Sequence, residues 1–458
     1  MGEKIIDKLI EFIRENYTIE SDLYEHFNVK RGLRNSDGTG VLVGLTSIGE
    51  VRGYIIDENE KVPVDGRLYY RGINVEEIVR SCISQNRYGF EETVFLILFG
   101  VLPTESQLKD FTELLGRMRT LPDGFTEDMI LKAPSHNIMN KLARSVLACY
   151  SYDSNPDDLS IENVLRQSIK LIARFPTMIA YAYQAKSHYY DKNSLFIHKP
   201  QSNLSTAENF LYLTRADNKY SQLEAQLLDM ALILHAEHGG GNNSAFSTHV
   251  VSSTGTDTYS AISAAVGSLK GPKHGGANAK VMGMMDDIML HVKNWEDEGE
   301  VADYLTKIMK GEAYDGAGLI YGMGHAVYTV SDPRAILLKE RAELLAEEKG
   351  MLDEFNLYRL IERISPEVFE KCKGGKVISA NVDFYSGFVY KMLNIPPELY
   401  TPIFAMSRIV GWCAHRIEEI YANGRIIRPA YKSICMRRKY APLDERKPIK
   451  SIKDIQTP

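Results

Sequence analysis

The sequence is poor in the residues that hold chains together covalently. Its five cysteines (Cys82, Cys149, Cys372, Cys413 and Cys435) are scattered, odd in number and contain no C-x-x-C pair. This excludes a disulfide framework and a cysteine-rich zinc site, and a reducing cytoplasmic setting is the simplest expectation. No apolar run approaches the ~20 residues of a membrane span. The opening "MGEKIIDKLIEF" is mixed in charge, unlike a secretory leader or an Arg-rich transit sequence. Charge of one sign is also lacking. A net −6 over 458 residues argues against a general binder of nucleic acid or membrane surfaces. The basic run Arg437, Arg438 and Lys439 reads as a solvated face. Short repeats, low-complexity blocks and Gly/Ser linkers are lacking too.

What is present is a globular composition, 44% hydrophobic, with a dominant helical period. Ile5, Ile6, Leu9, Ile10 and Ile13 share one face of a helix near the start. "SQLEAQLLDMALILHAEH" is apolar enough for a buried helix, with His238 at its end and His235 and His238 on one face. "PRAILLKERAELLAEEKG" starts at Pro333 and stops at Gly350. "PELYTPIFAMSRIVGWCAHRIEEIYANG" reads as a long helix with a kink at Pro402, ending at Asn423-Gly424. Only "VLVGLTSIGEVRGYII", residues 41 to 56, reads as strand and turn. The fold class is therefore mainly α with a short N-terminal β segment. Glycines cluster at 239–241, 271–276, 316–324 and 374–375. They bound a stretch, roughly 275–385, that reads either as a small domain inserted in a larger one or as ordinary interhelical turns.

Four polar stretches lie beside these glycines. In "HAEHGGGNNSAF", His238 meets three glycines and serves either as a hydrogen-bond donor where the backbone opens or as a helix cap. The spacing is one residue short of H-E-x-x-H, so a metal-hydrolase reading of His235 and His238 is weak. In "GPKHGGANAK", His274 precedes a helix pattern, and the positive end of a helix favours the neutral ring. In "GLIYGMGHAVYTVSDPRA", His325 follows Gly322 and Gly324, and Arg334 stands just inside a helix. These glycines match neither a Walker A loop nor G-x-G-x-x-G. In "ISANVDFYSGFVYKML", Asp383 sits among apolar residues. Desolvation would make it a usable general base, and a helix N-cap is the plain alternative. Together the stretches suit acid–base chemistry at carbon on an anionic substrate.

At these residues the sequence resembles citrate synthases. "GPKHGGAN", "GMGHAVYTVSDPRA", "NVDFYSG" and "HAEHGGGNNSA" follow the family's motifs in order and spacing. "FAMSRIVGWCAH" and "IIRPAY" resemble its two later arginine segments. The likeness runs from about residue 66 to about residue 432. Two positions depart from many members: Gly239 stands where Glu is common, and Ala326 where many bacterial members have Arg.

The resemblance implies a two-domain, mainly helical citrate-synthase fold. Residues 1–274 and 386–458 would form the large domain and 275–385 the small one, closing on oxaloacetate. It implies condensation of acetyl-CoA with oxaloacetate, then thioester hydrolysis to citrate and CoA. Asp383 would be the base, and His274 and His325 the hydrogen-bond donors. His238, Asn242, Arg334 and Arg408 would hold the dicarboxylate, and Arg428 would reach the site of a partner in a homodimer. Ile320, Gly322, Gly324, Lys373 and Lys376 would contact CoA, which is a co-substrate. No metal or permanent cofactor is implied. A 2-methylcitrate synthase using propionyl-CoA and a non-catalytic acyl-CoA-binding homologue are the alternatives.

Overall fold

A computed structural model describes residues 10, 14, 17, 19–35, 38–58, 60–374, 378–422, 424–435, 437 and 439–446. The amphipathic N-terminal segment lies almost wholly outside these residues. The chain divides into two compact units. One comprises Met1–Val43 and Arg428–Pro458. Within it the Lys432 ammonium lies 5.3 Å from the centre of the Phe27 ring, joining its two chain segments.

The other unit, Gly44–Ile427, holds the candidate site residues except Arg428. It opens with a hairpin, β1 (Gly49–Asp57) and β2 (Glu60–Tyr70), extended by β3 (Ile73–Asn74) in the order β1-β2-β3. The expected strand therefore begins later than residue 41, and its partner strand escaped the sequence reading. In β2, Pro63, Asp65 and Gly66 interrupt the alternation that would have revealed it. The hairpin serves the site directly. Tyr70, fully buried, donates its hydroxyl to the carbonyl oxygens of Ile233, at 2.8 Å, and Glu237, at 3.2 Å.

The helices that position the site are α1 (Val75–Ser84), α2 (Phe90–Phe99), α3 (Ile161–Tyr189), α4 (Gln222–His235), α5 (Asn243–Ser252), α6 (Thr258–Lys270), α7 (Ala277–His291), α8 (Glu298–Met309), α9 (Pro333–Lys349), α10 (Leu352–Lys373), α11 (Val382–Met392) and α12 (Tyr400–Tyr421). A helix that is apolar all round belongs in the core, and α12 is buried from Tyr400 through Arg416 on nearly every face. It packs against α2, α3, α4, α5 and α6. The kink expected at Pro402 is not formed. A short 3₁₀ turn, Pro397–Leu399, precedes the helix, so Pro402 falls in the first turn, where no intrahelical amide is needed. By contrast α9 starts at Pro333 and ends on Gly350 with φ 65°, the left-handed cap the sequence indicates.

Helices α7 to α11 pack on one another: α7 on α11, α8 on α10, and α9 on both α10 and α11. Gly387 lies inside α11, and a Cβ there would stand 2.6 Å from Asn278 Oδ1 and 2.7 Å from Met282 Sδ. Close helix packing thus explains this glycine.

Candidate active site

The four motif stretches meet around the end of α4 and the middle of α12. Helix α4 stops at His235, three residues earlier than the apolar pattern suggests. His238 therefore lies in the following loop and does not share a helical face with His235. Both rings are held neutral, with pKa values pushed well down by burial first and by Arg334 and Arg408 nearby. His235 Nδ1 and His238 Nε2 are buried without a hydrogen-bond partner. The His238 ring lies edge-on to His325, centroids 5.3 Å apart, and to Tyr328 at 5.6 Å.

His274 sits in a turn that runs into α7, its amide donating to Gly271 O at 2.9 Å. Its Nε2 is 3.0 Å from Ser244 Oγ. Its pKa is lowered to about 4, by burial first and then by Arg408. Burial and a neighbouring cation, more than the helix end, keep this ring neutral. Ser244 was not singled out in the sequence, although it stands two residues after Asn242. Its hydroxyl accepts from Trp412 Nε1 at 3.0 Å and has one proton to share between Asn242 Oδ1, also at 3.0 Å, and His274. When that proton points at His274, the ring carries its own hydrogen on Nδ1 and can donate there. Asn242 itself caps α5, accepting from the amide of Ala245 at 3.1 Å and donating to Gly239 O. Its side chain is committed to the loop, so it acts on a ligand at most through Ser244.

Next comes the strip that joins His325 to Asp383. Gly324 N donates to Ser379 O at 2.7 Å, Asn381 N to Gly322 O at 2.8 Å, and Asn381 Nδ2 to Gly324 O at 2.8 Å. Gly322 and Gly324 have φ 80° and 89°, the left-handed region where a side chain is strained. A Cβ at Gly322 would also lie 2.9 Å from Phe384 Cβ. The two glycines thus have a structural reason to be there. His325 Nδ1 accepts from the amides of Val327, at 3.0 Å, and Tyr328, at 3.1 Å, which puts the proton of the neutral ring on Nε2. The ring stacks on Tyr328 with centroids 4.8 Å apart.

Asn381 is the N-cap of α11, its Oδ1 accepting from Asp383 N at 3.0 Å. Asp383 is therefore not a cap; it stands in the first turn, where its carboxylate accepts no hydrogen bond among the described residues. Burial raises its pKa to about 6, against the lowering pull of Arg334 and Arg408 and with a further push from Asp332.

The two arginines differ. Arg334 is bound to Asp332 through Nε, at 3.0 Å, and Nη2, at 2.8 Å. Asp332 also caps α9 and accepts from Val382 N at 3.1 Å, tying the starts of α9 and α11 together. Asp332 was missed by sequence reasoning, although an aspartate just before Pro-Arg at a helix start signals a cap. Arg408, only 1% exposed, donates Nε to His235 O at 2.7 Å and lies over Phe404. No carboxylate pairs with it among the described residues. Burial lowers its pKa to about 10, so it remains a cation at neutral pH.

The remaining expected residues have other settings. Ile320 is 5% exposed and part of the apolar core, so only its backbone could meet a ligand. Lys373, at the end of α10, donates to Gly318 O at 2.8 Å. Lys376 lies outside the described residues. Arg428 is exposed and begins the last segment of the other unit.

A profile of the citrate synthase C-terminal domain matches residues 37–430. The chain belongs to the citrate synthase family. It is 34% identical over 405 residues to the citrate synthase of Haloferax volcanii, covering 86% of this chain and 98% of that one. It is 32% identical over 424 residues to 2-methylcitrate synthase 1 of Corynebacterium glutamicum, 91% and 98% of the two chains. The structure is also similar to solved citrate synthases, among them that of Thermoplasma acidophilum in its ternary complex with carboxymethyl coenzyme A and oxaloacetate. There the TM-score is 0.74 at 26% identity, over 91% of this chain and 99% of that one. The chain is thus an acyl-transferring enzyme of mainly helical fold. No helix among the described residues is long and apolar enough to cross a membrane.

Proposed function

We propose that the enzyme condenses acetyl-CoA with oxaloacetate and hydrolyses the resulting thioester to citrate and CoA. The observation that carries this reading is Arg408. A buried guanidinium paired with no carboxylate among the described residues calls for an anionic ligand, and its charge acts on Asp383, a carboxyl group that burial has made more basic.

In this reading Asp383 takes a proton from the acetyl methyl group. His274 donates from Nδ1 to the thioester oxygen as the enolate forms, a stabilisation of ~3 kcal/mol for a well-placed donor. The enolate carbon attacks the ketone carbon of oxaloacetate, and the ketone oxygen takes its proton from His325 Nε2. Water then cleaves the thioester, releasing CoA. Arg408, the remaining Nη1 of Arg334 and His238 Nε2 hold the dicarboxylate. The backbone at Ile320, Gly322 and Gly324, with Lys373 and Lys376, takes the CoA. Residues 275–385 act as the small domain that closes over the substrates and keeps water from the thioester until both are bound.

A homodimer, completed by Arg428 of each chain in its partner's site, is supported by the extended segment after α12. It leaves Tyr431 95% and Tyr440 83% exposed, apolar surface that a second chain would cover. Five free cysteines suit a reducing cytoplasm.

The second reading, 2-methylcitrate synthesis, is favoured by the Corynebacterium relative, at nearly the same identity as the citrate synthases. The substrates differ by one methylene, worth ~1–3 kcal/mol in a pocket. CoA release measured with oxaloacetate and each acyl-CoA decides between them. We expect the higher kcat/KM with acetyl-CoA; a preference for propionyl-CoA would establish the second reading, and no release with either would refute both.

A further inference from the structure

A second cluster of titratable groups lies where α5 and α12 face each other, and the chemistry above does not use it. His249, on α5, holds Glu419 Oε2 at 2.7 Å through Nδ1. His415, fully buried on α12, holds Glu237 Oε1 at 3.0 Å through Nε2. Each carboxylate fixes a ring proton on the nitrogen it faces. The other two nitrogens, His249 Nε2 and His415 Nδ1, point at each other across 3.1 Å. With both rings neutral, two lone pairs would then confront one another in a buried place, an arrangement that needs a positive charge between them.

Glu418 completes the group. Its Oε1 accepts from the amide of Ser47, at 2.8 Å, and from the Ser47 hydroxyl, at 3.0 Å. That leaves Oε2 buried, without a hydrogen bond, 3.8 Å from His415 Nδ1. The three inward atoms lie within 4.8 Å of one another.

We propose that His249 Nε2, His415 Nδ1 and Glu418 Oε2 form a site for a divalent cation of the zinc class. Geometry, charge and support all fit. Tetrahedral zinc with bonds of ~2.0–2.1 Å sets its ligand atoms about 3.3 Å apart, so the two rings, 3.1 Å apart, need to part by only a few tenths of an ångström, while the Glu418 carboxylate must swing inward by about 1 to 1.5 Å. Three carboxylates, of Glu237, Glu418 and Glu419, surround the two rings, and a divalent ion offsets that negative charge more fully than a single shared proton. A carboxylate behind each liganding histidine is the arrangement that orients imidazole towards a metal and strengthens it as a ligand. His249 and Glu418 keep 14% and 21% of their side-chain surface, which gives an ion a way in. The fourth position is left to water. Because Glu237 directly precedes His238, the ion would brace the loop of the active site without entering it.

The test uses the full-length protein after dialysis against a chelator. Zinc chloride alone is titrated by calorimetry, with bound metal counted by mass spectrometry after gel filtration. Cobalt(II) is added separately and its visible spectrum recorded. We expect one ion per chain, a tetrahedral cobalt spectrum, and affinity at least about tenfold weaker in His249→Gln and Glu418→Gln. His291→Gln, at an exposed histidine, should bind like the parent. Less than stoichiometric metal on the parent chain overturns the proposal and leaves a shared proton as the occupant. Stoichiometric metal that neither variant weakens overturns it too. The cobalt spectrum needs only the parent chain, so it decides the matter even where a variant fails to fold.

Discussion

Helix α12 carries two buried arginines eight residues apart, and they have opposite fates. Arg416 donates Nε to Thr258 Oγ1 at 3.1 Å, Nη1 to Ser252 Oγ at 3.1 Å and Nη2 to Thr256 O at 2.7 Å. All three nitrogens are committed, and the residue bolts α12 to α5, to α6 and to the loop between them. Among the described residues Arg408 commits only Nε. Burial lowers both pKa values to about 10, so cost of burial does not distinguish them. Hydrogen-bond satisfaction does. A buried cation whose donors are all answered holds a fold together; one whose donors are unanswered keeps them for a ligand. The same contrast separates Asp332, whose carboxylate is engaged on both oxygens, from Asp383, whose carboxylate accepts no hydrogen bond among the described residues.

The strongest way to break this contrast is at Asp383. Asp383→Asn should lower kcat by about 10³-fold, the range of a general base, while making the protein more stable above pH 6. The sign follows from the raised pKa. From an ordinary value of 3.8 to about 6 in the folded chain, the site favours the protonated form. Its stability is therefore complete below pH ~4 and lost as pH rises through 6, by up to about 3 kcal/mol. Asparagine removes that loss. Thermal denaturation at pH 8 measures it, and a lower Tm for the variant would contradict the assignment of Asp383 as a strained functional group.

Next in size is the pair of arginines. Arg408→Gln should cost about 10²- to 10³-fold in kcat/KM for oxaloacetate, the loss of a buried charge pair, with stability unchanged or improved. Arg416→Gln should do the reverse. It unpairs two hydroxyls and a carbonyl in the core, at about 2–4 kcal/mol of stability, and leaves the kinetics of the surviving folded protein close to the parent's. Urea denaturation beside steady-state kinetics separates the two; equal losses of activity in both variants would erase the distinction.

The sequence showed the groups that meet substrate in the proposed mechanism better than the groups that support them. His238, His274, His325 and Asp383 stand out because each is polar within an apolar or glycine-rich setting, and the order of their motifs carries the family; Arg408 enters only with the family resemblance. Their supports do not stand out. Ser244 matters because Trp412 reaches it across 168 residues of chain, and Asp332 because α9 and α11 start side by side. The cation cluster draws on three separate stretches, at 237, 249 and 415–419. The fold shows the same asymmetry. Helices with a clean apolar period were legible, while the end of α4 and the strand β2 depend on Tyr70 and the hairpin, which local pattern does not encode.

A smaller effect concerns pH. With His274 neutral down to about pH 4, the acid limb of kcat belongs to Asp383. Activity should fall tenfold per unit below pH ~6, and Asp383→Glu should shift or flatten that limb while His274→Asn should leave its midpoint in place. A midpoint that moves in the histidine variant would assign the limb to the wrong group.

Ser244→Ala should give the smallest change and is the sharpest test of how a supporting group orients a reacting one. The hydroxyl makes no substrate contact in the proposed mechanism; it turns a proton towards His274 Nε2 so that Nδ1 carries the hydrogen the thioester oxygen needs. Without it the ring still fits and stays neutral, but it divides between two tautomers, only one of which can donate. We therefore expect kcat to fall about tenfold, roughly one neutral hydrogen bond's worth, with KM for oxaloacetate unchanged because Arg408 and His238 are untouched. Ser244→Thr, which restores a hydroxyl, should recover most of the rate. A rise in KM for oxaloacetate with kcat intact would mean that Ser244 shapes the dicarboxylate pocket and does not orient His274.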